Sequence, residues 1–214
     1  MKVVLALSTM TLLVGCASTQ YSVQPPSMPS SQNASKVVNK PKDVVWDESV
    51  AKLGQRFFVI NNLEKSSGLI NLSYSGDPER YVDCGKVTVV NKGPGGGTTT
   101  FSGSVADVLY LTAVPIPPYN MPAPAQVRRQ MSLDGRINLI FEAIDSQTTR
   151  VTAATRYILS RRISPAGNIM FAGSSDTASF NANEPGQFPV GSDGKGLTCV
   201  STGALEKSIL EVIN

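Results

Sequence analysis

The residues best equipped for chemistry in this 214-residue chain are its three cysteines, and their settings differ. Cys16 closes an apolar run, Val3 to Gly15, that follows Lys2, whereas Cys84 and Cys199 lie far apart in the body of the sequence. A thiolate can act as nucleophile or metal ligand. Neither Cys84 nor Cys199 has a second cysteine nearby, however, and the chain has no histidine, so no metal-ligand spacing is present. The missing histidine also removes the commonest general base, without excluding carboxylate or Ser/Lys chemistry. Asp77, Glu79 and Asp83, close in sequence near Cys84, flank a predicted turn and read as solvated charges. Gly93-Pro94-Gly95-Gly96-Gly97 runs into Thr98-Thr99-Thr100-Phe101, without the lysine and helix of a phosphate loop, and reads as a hairpin loop. No catalytic residue, metal ligand or cofactor is assigned, and the chain is read as not an enzyme.

Leu13-Val14-Gly15-Cys16 looks like a bacterial lipobox. The apolar run is shorter than the ~20 residues that span a bilayer, so it reads as a cleaved secretory segment, residues 1–15, with Cys16 the lipidated first residue of the mature chain. The alternative is an ordinary signal peptide cut elsewhere. Each buried methylene is worth about 0.8 kcal/mol, so one acyl chain anchors weakly and several together hold firmly. Ala17 in place of Asp resembles an outer-membrane address with the body facing the periplasm. In that oxidising compartment Cys84 and Cys199 are expected to pair; two buried free thiols or an intermolecular bridge are the other readings. The 19 basic and 16 acidic residues are scattered, without a nucleic-acid footprint.

Residues 16–40, rich in Ser, Gln and Asn with Pro25, Pro26 and Pro29, read as a flexible tether. Residues 41–214 read as one domain. Trp46, Val50, Leu53 and Phe57 recur at helical spacing, predicting an amphipathic helix over 42–56 that starts after Pro41, with Trp46 a core anchor. Runs 57–63 and 69–74 predict a hairpin, and 81–90 a third strand around Cys84. Thr98 to Thr112 predicts a further strand region interrupted at Gly103. Residues 114–124 hold five prolines and read as an exposed crossing loop that cannot join a ladder. Its Ile116, Tyr119 and Met121 are the partner-binding candidates, although a loop packed across its own sheet would look the same.

From Gln126 to Asn181 alternating runs predict an antiparallel meander, with turns at Asp134-Gly135, Asp145-Ser146-Gln147 and Ser164 to Gly167. Arg128, Arg129, Arg161 and Arg162 are placed at strand ends, where they protect edges or meet lipid phosphates. After a polar segment, 183–196, a closing helix carries Leu205, Ile209, Leu210, Val212 and Ile213, with Thr202 as its N-cap.

Val45-Trp46-Asp47, Phe57-Phe58-Val59-Ile60 and Ser67-Gly68-Leu69-Ile70 resemble the helix-grip domains of the BamC lipoproteins of the outer-membrane β-barrel assembly machinery, over about residues 42–76. The resemblance implies an α+β fold, an antiparallel sheet packed against N-terminal and C-terminal helices, and an accessory role in envelope protein assembly. The chain departs from that group in holding one domain instead of two in tandem, and in Cys84 and Cys199. The functional expectation is therefore a non-catalytic outer-membrane lipoprotein with membrane lipid and an envelope protein as partners. The alternative is a periplasmic carrier of a lipid or other apolar ligand, decided by whether Phe141, Tyr157, Ile158 and Leu210 fill a core or line a void. Replacing Cys16 with Ser is expected to release the protein from membranes, read by fractionation; unchanged partition would remove the anchor.

Overall fold

The computed structural model describes residues 18–27, 34–56, 58–92, 98–103, 107–168 and 171–214. The expected signal segment, Cys16 and the Gly93–Gly97 loop lie outside these residues. In chain order the elements are β1 (Ser18–Gln24), β2 (Ala34–Val38), α1 (Lys42–Leu53), β3 (Val59–Glu64), β4 (Leu69–Gly76), β5 (Val82–Asp83), β6 (Lys86–Lys92) and β7 (Thr98–Gly103). They continue as β8 (Asp107–Ile116), β9 (Met121–Ala143), β10 (Thr149–Pro165), β11 (Ser174–Asn181), β12 (Gly186–Phe188), β13 (Leu197–Ser201) and α2 (Ala204–Leu210).

The α+β expectation is overturned: antiparallel sheet dominates, and the helices are 12 and 7 residues long. The reason lies in β9, 23 residues, and β10, 17 residues, which pair without a break from Ala143↔Thr149 to Val127↔Pro165. Along β9 the odd-numbered residues from Ala125 to Phe141 are buried and the even-numbered ones from Arg128 to Glu142 exposed. Such strict alternation is the signature of one covered and one open face. The two short helices cover only part of the buried face. Around the β9–β10 ribbon, β8 and β4 share the outer edge of β9, while β2 and β11 share that of β10, and β3 extends the sheet beyond β4. Two three-stranded sheets, β1-β6-β7 and β12-β13-β5, complete the topology, so the strand expected over 81–90 is split between them.

Four local expectations change for identifiable reasons. The tether is partly sheet: β1 pairs with β6, and β2 pairs with β10 through its own alternation, burying Val38. Lys36 on β2 donates to the carbonyls of Leu210 (3.3 Å) and Ile213 (2.5 Å), putting a cation at the negative end of α2.

The proline-rich stretch is not a crossing loop but the tip of the β8–β9 hairpin, in register as Val114↔Ala123, Pro115↔Pro122 and Ile116↔Met121. Two prolines can face each other only at a non-hydrogen-bonded pair, where neither nitrogen is asked to donate across the ladder. Pro124 lies two residues from Pro122 and repeats that phase. Only residues 117–120 turn, with Asn120 at φ 52°, a conformation asparagine tolerates better than most residues.

Asp134-Gly135 is not a turn. Gly135 sits mid-strand opposite Tyr157, and a Cβ there would lie 3.0 Å from Leu205 Cδ2, so the glycine makes room for α2 to dock. At α2 itself Gly203 (φ 73°) takes the N-cap, and Thr202, one residue earlier, accepts from Ala204 N at 3.3 Å.

Helix α1 begins after Pro41 as expected, ends at Leu53, and buries Val45, Trp46, Ser49 and Leu53. Trp46 meets Phe141 edge-on at 5.2 Å, an anchor in the main core. Val108, Tyr110, Val114, Ala125, Val127, Ile163 and Phe171 form a second cluster at the hairpin end of the sheet. Cys84 and Cys199 have their sulfurs 1.97 Å apart, beside the β5–β13 pairing. The Gly135→Val variant is expected to lose about 1–3 kcal/mol of stability by overpacking Leu205, measured by urea unfolding, with Gly135→Ala less affected.

Candidate functional site

The outer edge of β10 is shared by two strands that do not meet. On β10, β2 pairs as far as Ala153↔Ala34, and β11 begins at Arg156↔Asn181. Among the described residues no strand pairs with Ala154 or Thr155 on that side, although Ala182 N donates to Thr155 O at 3.1 Å. A cavity of about 430 Å³ occupies this interruption, reaching from Arg136, Asn138 and Arg156 on the open face to Thr155, Ser201 and Glu206 on the covered one. That volume lies within the range of small-ligand sites, about 300–1,000 Å³.

Behind the cavity the polar groups are tightly placed. Tyr157, fully buried, donates to the Glu206 carboxylate at 2.9 Å and stacks on Phe180 at 5.3 Å. Burial, reinforced by the Glu206 charge, pushes the Tyr157 hydroxyl far above its ordinary range. Ser201 Oγ donates to Ala182 O at 2.7 Å. Thr155 is 4% exposed, and its hydroxyl has no hydrogen-bond partner among the described residues.

A second buried polar group ties segment 183–196 to the sheet. Arg161 grips Asp176 through Nε and Nη2 (2.9 and 2.7 Å), donates to the carbonyls of Pro189 (2.8 Å) and Lys195 (3.3 Å), and lies over the Phe188 ring at 4.8 Å. Tyr110 donates to the buried Asp193 carboxylate. These groups stabilise architecture. Reading the sequence by residue type missed them, yet their phase was available: Arg161 alternates with Tyr157, Leu159 and Ile163.

The four arginines expected at strand ends are instead divided by alternation. Arg129 and Arg161 are buried, Arg128 is exposed and ion-paired with Asp107, and Arg162 faces outward. Hydrogen bonding to the Arg128 guanidinium holds the Asp107 carboxyl below its usual value. Asp77 and Asp83 serve turns: Asp77 accepts from Glu79 N (2.8 Å), and Asp83 from Gly85 N (2.7 Å) and Ser27 N (2.9 Å).

Of the three partner-binding candidates, Tyr119 (83%) and Met121 (66%) are exposed at the hairpin tip, while Ile116 is half-buried against the second core cluster. Phe141, Tyr157 and Leu210 belong to the main core, whereas Ile158 lies on the opposite face. Among the described residues no group of three His, Cys, Asp or Glu could hold a metal ion, and no helix is long and apolar enough to cross a membrane.

No protein-family model matches this chain, and no curated protein or solved structure matches it either. Because the Tyr157 hydroxyl ionises far less readily folded than unfolded, its contribution to stability is complete below the unfolded value near 10 and is lost as pH rises above it. Tyr157→Phe is expected to cost about 1–3 kcal/mol at pH 8, by leaving Glu206 without its donor. The same variant should flatten the fall in stability between pH 9 and 11, measured by denaturant unfolding at each pH.

Proposed function

We propose that this protein is a non-catalytic lipoprotein of the outer membrane, held by acyl chains on Cys16 and facing the periplasm, that acts as a scaffold or accessory factor of envelope protein assembly. The membrane half of this reading rests on Leu13-Val14-Gly15-Cys16 and the charge-free run before it. The observation that carries the scaffold half is the distribution of apolar side chains. Those on the covered face of the sheet are used up in the core, while Tyr119 and Met121 stand exposed at the end of a two-stranded arm. An aromatic ring and a flexible thioether on a preformed hairpin suit protein recognition, since little ordering entropy is spent on docking.

The same distribution favours a scaffold over a lipid carrier. Phe141, Tyr157 and Leu210 belong to the core, and the edge cavity is walled by Asn, Arg, Ser, Thr and Glu besides alanines and a glycine, without the large aliphatic or aromatic side chains that grip an acyl chain. The role proposed is that of an accessory protein, without the helix-grip architecture.

A photo-crosslinking residue at position 119, tested in intact envelopes, is expected to give discrete protein adducts that disappear on Met121→Ser substitution. The same probe at Thr177, on the polar sheet face, should give none of those adducts. Absence of protein adducts from position 119, or one lipid per chain in native mass spectrometry, would overturn the scaffold.

A further inference from the structure

We propose that the interruption in the β10 edge is a binding site for the acidic end of a peptide, its carboxylate seated between Arg136 and Arg156. These two arginines stand directly opposite each other across the β9–β10 ladder, on the open face. Like charges in that position oppose sheet formation. No carboxylate relieves them: Arg156 donates to Ser179 Oγ at 3.2 Å, Arg136 makes no hydrogen bond or ion pair with any described residue, and Asp134, on the same face, pairs with neither. Two guanidiniums facing one cavity are a ready anion clamp, since each presents planar paired donors that match a carboxylate.

The rest of the lining narrows the ligand class. Ala154, two residues along β10 from Arg156 and on the same face, contributes a methyl group to the cavity lining. Opposite it, Asn138 accepts from Asn71 at 2.6 Å, leaving the Asn138 amide nitrogen as a donor on the cavity wall. Deeper lie the Glu206 carboxylate and the Thr155 hydroxyl, unpartnered among the described residues. A second anion at that depth would be repelled by Glu206, whereas an N–H donor would be accepted by it. The site is thus polarised, with cations and amide donors at the mouth and acceptors within. A peptide C-terminus carries the matching pattern, an acid followed by backbone N–H groups, and alanine-lined walls suit small side chains. Free phosphate is a compact anion without the chain of backbone N–H groups and satisfies only the mouth.

The test is calorimetric titration of the purified full chain with acetyl-Ala-Ala as free acid, with its C-terminal amide, and with inorganic phosphate. The free acid is expected to bind in a saturable way, the amide at least tenfold more weakly, and phosphate more weakly than the acid. Arg136→Gln and Arg156→Gln should each weaken the acid about tenfold without lowering the thermal midpoint, because neither removes an ion pair. Thr155→Val should weaken acid and amide by the same factor. Equal binding of acid and amide, an unchanged affinity in both arginine variants, or no binding of the acid at millimolar concentration would overturn the site. Phosphate binding tighter than the acid would overturn the peptide assignment.

Discussion

Continuous pairing of β9 with β10 settles the inside and outside of most of this molecule. Once Val127 stands opposite Pro165 and Ala143 opposite Thr149, every intermediate residue has its face assigned, because a shift of one position would turn Leu133, Ile137, Leu139 and Phe141 to solvent together. The helices dock where that ribbon permits, Leu205 above Gly135 and Trp46 against Phe141. The shorter strands add to edges the ribbon already presents. Two strands share the outer edge of β10, and among the described residues neither pairs with Ala154 or Thr155, where the cavity lies.

The same constraint explains how charge enters the interior. A strand residue in phase with the covered face is buried whatever its type, so Arg161, like Glu206 on the docked α2, needs partners supplied from elsewhere in the chain. Breaking such a pair costs far more than a surface ion pair contributes, which makes Asp176 and Tyr157 structural necessities. Arg161 and Asp193 hold a segment that has few apolar side chains of its own, and Lys36 performs a similar service for the end of α2.

Much of the meander was legible because its signal is periodicity alone: Ile137, Leu139, Phe141 and Val151, Ala153, Tyr157 announce both strands and their covered faces. The α1 segment and the β3–β4 hairpin were equally plain. What misled was punctuation read one residue at a time. Gly135 signals close approach of a helix from a distant part of the sequence, information that no local window contains. Prolines 115, 122 and 124 look like ladder breakers until their spacing is compared with the pleat. The tether failed as a category because β2 is short and mixed in composition, and only pairing with β10 reveals its alternation. The site was the least legible part. Arg136 and Arg156 are 20 positions apart, and nothing short of the register places them face to face.

The phase of the prolines bears on what the β8–β9 arm can join. At a non-hydrogen-bonded position the backbone nitrogen points sideways, away from the partner strand, and there Pro115, Pro122 and Pro124 carry no hydrogen to offer. Near the tip the β9 flank is thereby stripped of donors that an intruding strand would need, and the β8 flank loses one. Strand pairing with another copy is disfavoured along the β9 side of this tip, and docking there falls to the side chains at its end.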